Sequence, residues 1–383
     1  MLRKCLAILA VLIVLTLAPL QLFGADMFVF FGTHNSGPTR GFCRSTFDSA
    51  TGVLSKPEFV LAALAPAYFV LSADGKHLYS CNSGTPVQGT GGVSAYDLNP
   101  KTGDLKLLNT VPAGGADTSF ITLDRGERHA LVANYDGGNI AVFAIKPDFS
   151  IGDRTAFVQH TGSSINPTRQ THAYAHSIRL DPSGKFVLVA DLGLDKVFVY
   201  KYDNDKGTLT PNDPPSVSIT PGEGARHFYF HPQHPDWMYL ITEMGCTIHY
   251  FHWDSDRGVL AEKQKISTLP PDFKGTSTCA EILVHPGGKF LYCSNRGDDS
   301  IGEFAIDPQS GKLTLIGHVK SGGKTPRNFE IDPTGHWLLT ANQDGNNACV
   351  FAIDLDTGKL TQKGDAVAIT YPFCPRFLPI SAK

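Results

Sequence analysis

An all-β chain closed into a seven-bladed propeller, four antiparallel strands to a blade, is the fold class this sequence predicts. Three observations carry it. The first is composition: 383 residues, 42% hydrophobic and only 18% charged, with 38 Gly and 25 Pro. So few Lys, Glu and Arg leave little to cover solvent-facing helical turns. The second is an internal repeat, six times complete: an apolar strand, a Pro/Asp-x-Gly turn, a second strand, a polar residue, a third strand, then Gly-x-Leu. The third is a pair of chain ends that read as two parts of one blade.

The N-terminus comes first. Arg3 and Lys4 precede a run from Cys5 to Leu17 that is apolar except for Thr16, and Phe23, Gly24 and Ala25 lead into Asp26. This pattern predicts a signal peptide over 1–25 and an exported, periplasmic or secreted, chain over 26–383. A spanning helix needs about 20 apolar residues, and Pro19 and Gln21 interrupt the run; a retained anchor is the alternative. Cleavage would leave 31 basic against 36 acidic residues, a net charge of −5, with no basic run. Nucleic acid and anionic membrane surfaces are therefore not expected partners, and a closed ring favours a monomer.

The repeat follows at 68–75 (YFVLSADG), 120–126 (FITLDRG), 176–184 (HSIRLDPSG), 227–232 (HFYFHP), 281–288 (EILVHPGG) and 328–335 (NFEIDPTG). Each reads as a strand entering a tight turn. Gly75 and Gly335 lie 260 residues and five repeats apart, a period of 52 that admits nearly seven units of four short strands. Such strands close a common core by radial stacking. Met27 to Thr33 reads as a second strand lacking a first, and PRFL at 375–378 as a lone first strand, so the C-terminus is expected to complete the first blade and remove an open edge. The single Trp253-Asp254 dipeptide does not recur, which sets aside WD40 repeats.

In a propeller the starts of first strands and the ends of second strands share one rim. The repeat places Tyr68, Ser119, His176, Arg226, Glu281, Arg327 and Arg376 at first-strand starts. It places His34, Asn82, Asn134, Asp191, Glu243, Arg296 and Asn342 at second-strand ends. Charges converging over an apolar core must be paired or used, which points to a polar or anionic small molecule; mutual satisfaction with ordered water is the alternative. Asn82, Asn134, Asn295 and Asn342 are expected to tie turns, with Asn134 and Asn342 also standing beside Glu281 and Arg327 as candidate substrate-binding residues.

Several chemistries are not supported. No phosphate-cradling GxxxxGK[ST] loop or GxSxG elbow occurs. His172 and His176, and His227, His231 and His234, lack a ligand geometry on alternating strands, so neither metal nor cofactor is expected. The seven cysteines beyond the leader are scattered and odd in number. Buried free thiols are expected, with a Cys279–Cys293 bridge across the hairpin turn at 285–288 as the alternative.

At GARHFYFHP (224–232), Glu243, 280–296 and PRNF (326–329) the chain resembles the lactonase family of seven-bladed β-propellers, which includes propeller-type 6-phosphogluconolactonases and carboxy-muconate cyclases. The resemblance covers nearly all of 26–383. It implies acid–base hydrolysis of a small sugar-type lactone in the central channel, with His176, Arg226, Glu243 and Arg296 as catalytic residues. Glu243 or His176 would be the base; Arg226 and Arg296 would hold substrate carboxylate or phosphate and the oxyanion, with Arg327 in reserve. The leader conflicts with a phosphorylated, cytosolic substrate and favours an unphosphorylated lactone. An exported module that binds a small polar ligand or a protein without turnover is the alternative.

Overall fold

The computed structural model describes residues 26–34 and 40–380; the leader expected over 1–25 lies outside them. Seven antiparallel sheets form the blades. Blade 2 is the pattern, with strands Pro66–Leu71, His77–Val87, Thr90–Leu98 and Leu105–Pro112 running from the axis outward. The innermost strands of blades 3 to 7 are Thr118–Leu123, Ala175–Leu180, Ala225–Phe230, Thr278–Val284 and Pro326–Ile331. Their second strands are His129–Asn134, Phe186–Asp191, Trp237–Thr242, Phe290–Arg296 and Trp337–Asn342. Blade 1 is built from both ends of the chain: Asp26–Thr33 lies between Gly41–Asp48 and the C-terminal Pro372–Pro379, with Phe28 opposite Leu378 and Phe30 opposite Arg376. The C-terminal strand thus supplies the innermost position that the first blade lacks.

Burial follows from this stacking. The second strands of blades 3, 4, 5 and 7 are buried at every position, because each of their faces meets a neighbouring sheet. The innermost strands of blades 2, 4 and 5 are buried for four residues and half-buried for two, where they reach the lower mouth of the channel. Adjacent blades are also joined by a recurring device. Tyr79, Tyr239 and Tyr292, all on second strands, donate hydroxyl bonds to the carbonyls of Phe149, Gly311 and Gly358 in turns of the next blade, at 3.1, 2.7 and 2.9 Å. Gly358 has φ +73°, and a Cβ there would meet the Phe290 ring at 2.4 Å, so only glycine offers this carbonyl. Trp337 Nε1 to the Ser49 carbonyl, 2.8 Å, makes the corresponding link between blades 7 and 1. Each bond contributes about 1 kcal/mol.

All seven described cysteines are free and buried. Cys279 lies opposite Asn295 and Cys293 opposite Ile282, so the two are offset along the hairpin and the alternative bridge does not form. Cys279 Sγ instead meets Thr268 Oγ1 at 3.1 Å and Asn295 Oδ1 at 3.2 Å.

Candidate functional site

A β-bulge near the start of the innermost strands decides which side chains reach the axis. The pairing skips one residue between Ala175 and Ser177, Ala225 and His227, and Pro326 and Asn328. The skipped residues are His176, Arg226 and Arg327, freed from the ladder and turned into the channel. In blade 6 the irregularity spans Cys279 to Ile282, and Ala280 takes the position equivalent to Arg226. Glu281 therefore sits one layer deeper than the rim map places it.

That deeper layer is a septum. Tyr68 stacks on Phe120 with ring centroids 4.2 Å apart, and His227 meets both edge-on at 6.0 and 5.1 Å. His227 Nδ1 donates to Glu281 Oε1 at 2.9 Å, and Asn328 Nδ2 donates to Glu281 Oε2. Above it lies a chamber of about 300 Å³; below it lies one of about 180 Å³.

The upper chamber is organised around Glu243, which directly follows strand Trp237–Thr242 and is 5% exposed. Arg226 Nε donates to Oε2 at 2.9 Å, Arg296 Nη2 lies 3.1 Å from the same oxygen, and Arg169 Nη2 reaches Oε1 at 2.5 Å. His176 Nε2 stands 4.0 Å from Oε2, too far for a direct bond. The guanidiniums are tied in turn: Arg226 Nη1 donates to the Ala280 carbonyl and Arg296 Nη2 to that of Cys279 at 2.8 Å. Arg327 lies over the Phe373 ring at 4.3 Å and makes no ion pair among the described residues.

Burial alone would raise the Glu243 carboxyl, but Arg296, Arg226, His176 and Arg169 hold it well below its ordinary 4.5. Burial, reinforced by Arg226 and His227, drives His176 well below 6.5, so its imidazole is neutral at pH 7, and its Nδ1 is buried without a partner. Burial and the neighbouring Arg296 lower Arg226 to about 9, which leaves it protonated at neutral pH. Four guanidiniums (Arg169, Arg226, Arg296, Arg327) thus face two carboxylates, Glu243 and Asp117, across the chamber, an excess of two positive charges. Such a site favours an anion or a developing oxyanion and offers one neutral nitrogen base.

Of the residues singled out in the sequence, His176, Arg226, Glu243, Arg296 and Arg327 line this chamber together. Glu281 faces the lower chamber instead. Asn134 and Asn342 do not reach either: both are fully buried. Asn134 is engaged with Thr118, Asn139 and the Ala113 carbonyl, and Asn342 with Asn347 and the Ser321 carbonyl, so they tie turns. Arg169, Tyr135 and Asp117 were not singled out. Arg169 comes from the segment between Gln159 and Ala175, which belongs to no repeat. The signal available was that segment's length, since long connections in compact folds are commonly functional. Its anchors are Gln170 Nε2 to the Leu192 carbonyl, 2.9 Å, and Ser164 Oγ to Asp195 Oδ2, 2.6 Å.

The family model described as lactonase, 7-bladed beta-propeller, matches residues 28–377. A 6-phosphogluconolactonase of Bacillus subtilis (strain 168) is 32% identical over 300 residues, covering 78% of this chain and 83% of that protein. One from Formosa agariphila is 33% identical over 298 residues, covering 77% and 83%. The solved structure of a periplasmic gluconolactonase from Pseudomonas aeruginosa superposes with a TM-score of 0.88 at 28% identity, covering 93% of this chain and all of that one.

Proposed function

The chain belongs to the lactonase family of seven-bladed β-propellers, and from that premise we propose that it hydrolyses an aldonolactone in the upper chamber. The observation that carries this is the arrangement about Glu243: three guanidiniums on one carboxylate, a fourth unpaired, and a neutral imidazole 4.0 Å away. A water in contact with both His176 Nε2 and Glu243 Oε2 is the nucleophile. Its oxygen bonds to the lactone carbonyl carbon while its proton passes to His176. Glu243 is held ionised by its arginines; its role is to hold those arginines and to stabilise the transient imidazolium. Arg296 and Arg327 face the carbonyl oxygen as it becomes an oxyanion. Collapse of the tetrahedral intermediate breaks the ring C–O bond, and the imidazolium returns its proton to the departing alkoxide, releasing a hydroxy acid.

The leader expected over 1–25 supports an exported enzyme, and with it an unphosphorylated substrate; the periplasmic Pseudomonas relative supports the same reading. The test is acid release from D-glucono-δ-lactone and from 6-phosphogluconolactone, followed with a pH indicator and corrected for spontaneous hydrolysis. Turnover is expected on both, with the unphosphorylated lactone preferred. Background rates on both would overturn the enzyme and leave a binding module.

A further inference from the structure

We propose that the lower chamber is a second binding site, opening on the face of the ring opposite the upper chamber, for a small hydroxy acid carrying a single negative charge. The proposal does not depend on the lactonase reading.

The chamber is built around Arg179, the fifth residue of strand Ala175–Leu180. Its guanidinium makes one hydrogen bond, from Nη2 to the Tyr68 hydroxyl at 3.2 Å, and no ion pair among the described residues. Its Nε is buried without a partner. The rings of Phe120 and Tyr229 flank the cation at 4.8 and 5.5 Å, which holds it in place without neutralising it. The other cation of the chamber is spoken for: Arg376 Nη1 lies 2.5 Å from Glu330 and 2.7 Å from the Pro375 carbonyl. Glu281 is likewise engaged, by His227 and Asn328.

Charge then selects the ligand. Two guanidiniums and two carboxyls balance in the lining, and Arg179, which makes no direct ion pair among the described residues, can take one carboxylate as a charge-assisted pair. A dianion such as phosphate would meet the carboxyl groups of Glu281 and Glu330 across a space of about 180 Å³. Burial raises both carboxyls against the pull of Arg179 and Arg376, so negative charge beyond the one carboxylate paired with Arg179 is poorly tolerated there. The Tyr229 hydroxyl makes no hydrogen bond among the described residues and Glu330 offers acceptor oxygens, a lining suited to ligand hydroxyls. Arg179 and Tyr229 also line an outer groove of about 390 Å³ bounded by Arg125, Asp181 and His231, so the chamber continues to solvent on its own side and has room for a hydroxylated tail.

The test is titration calorimetry of the purified protein with sodium D-gluconate at pH 7.5, on the wild type and on Arg179→Gln, Tyr229→Phe and Arg327→Gln. A class of sites that survives Arg327→Gln, weakens about tenfold or more in Arg179→Gln and about threefold in Tyr229→Phe is expected, from the loss of a charge-assisted and a neutral hydrogen bond. Inorganic phosphate at pH 8 should not displace gluconate from that class. Should Arg179→Gln fail to fold, Tyr229→Phe carries the comparison. An isotherm that neither lower-chamber variant changes, or a single class abolished by Arg327→Gln, would overturn the proposal. If instead one class is lost in Arg179→Gln alone, the second site stands and the upper chamber fails.

Discussion

Replacing Glu243 by Gln removes one negative charge and no volume from the centre of the upper chamber, and its cost can be worked from the contacts. The pair with Arg226 is fully enclosed, the two side chains being 7% and 2% exposed at 2.9 Å. Breaking such a pair from one side typically costs about 3–5 kcal/mol, because the remaining charge stays buried. Arg169 is 40% exposed, so solvent screens its loss to about 1 kcal/mol at most. The amide oxygen of Gln still accepts from Arg226 Nε and restores about 1 kcal/mol. The net is about 3–5 kcal/mol before any share from the Arg296 pair, which for a chain of this length, unfolding with about 2.1 cal/mol/K per residue, lowers Tm by about 4–6 °C. Because the folded carboxyl titrates well below its ordinary 4.5, this difference is complete above pH 4.5 and closes as pH falls below it toward the folded value. Turnover of D-glucono-δ-lactone at pH 7 should fall by about 10²–10⁴ if Glu243 supports the proton transfer. Calorimetric unfolding and the indicator assay read the two effects separately. A Tm within about 1 °C of wild type would refute the ion-pair argument, and turnover within about threefold would remove Glu243 from the machinery.

Three further outcomes are expected. His176, kept neutral by burial, should give a kcat/KM profile that is level from pH 6.5 to 8 and declines only well below 6.5, where the imidazole takes a proton; an acid limb centred at 6.5 or above contradicts the assignment. Arg169→Gln, which frees Glu243 Oε1, should raise KM by about tenfold with kcat little changed, the signature of a binding contact; steady-state kinetics showing the reverse split would make Arg169 part of the chemistry. Gly193→Ala places a Cβ 1.9 Å from the His172 carbonyl oxygen, so the backbone must shift at a cost of about 1–3 kcal/mol. The displaced segment carries Arg169, and KM should rise along with the fall in Tm; an unchanged Tm in thermal unfolding would show that the segment yields freely.

The two chambers are separated by one layer of side chains, and that layer is continuous with the chemistry above it. The His227 ring meets His176 edge-on at 5.0 Å while its Nδ1 is engaged by Glu281, which lines the chamber below. A carboxylate placed on Arg179 would therefore share a chamber with Glu281, whose hydrogen bond to His227 and the ring contact of His227 with His176 connect it to the proposed base.

Much of this arrangement was legible in the residues themselves. The 52-residue recurrence, the turn glycines and the unmatched strand patterns at 27–33 and 375–378 determine seven blades and a closure through the C-terminus, because each reports local geometry: strand alternation, a tight turn, an unpaired edge. The same recurrence brings His176, Arg226, Glu243, Arg296 and Arg327 to one rim, since equivalent positions in a radial repeat share one height. Counted back from the turn at His285, Glu281 falls in register with His227 and Asn328, one layer below Arg226 and Arg327. Tertiary structure alone decided the rest. The fold decided that those same two residues, His227 and Asn328, take up the Glu281 carboxylate. Whether Asn134 and Asn342 reach the channel depends on which backbone groups their amides satisfy. Arg169 belongs to no repeat and meets Glu243 across 74 residues of chain. Strand periodicity is a property of neighbours along the chain, whereas carboxylate and amide partners and long-range ion pairs are set by what packs against each residue from elsewhere in the ring.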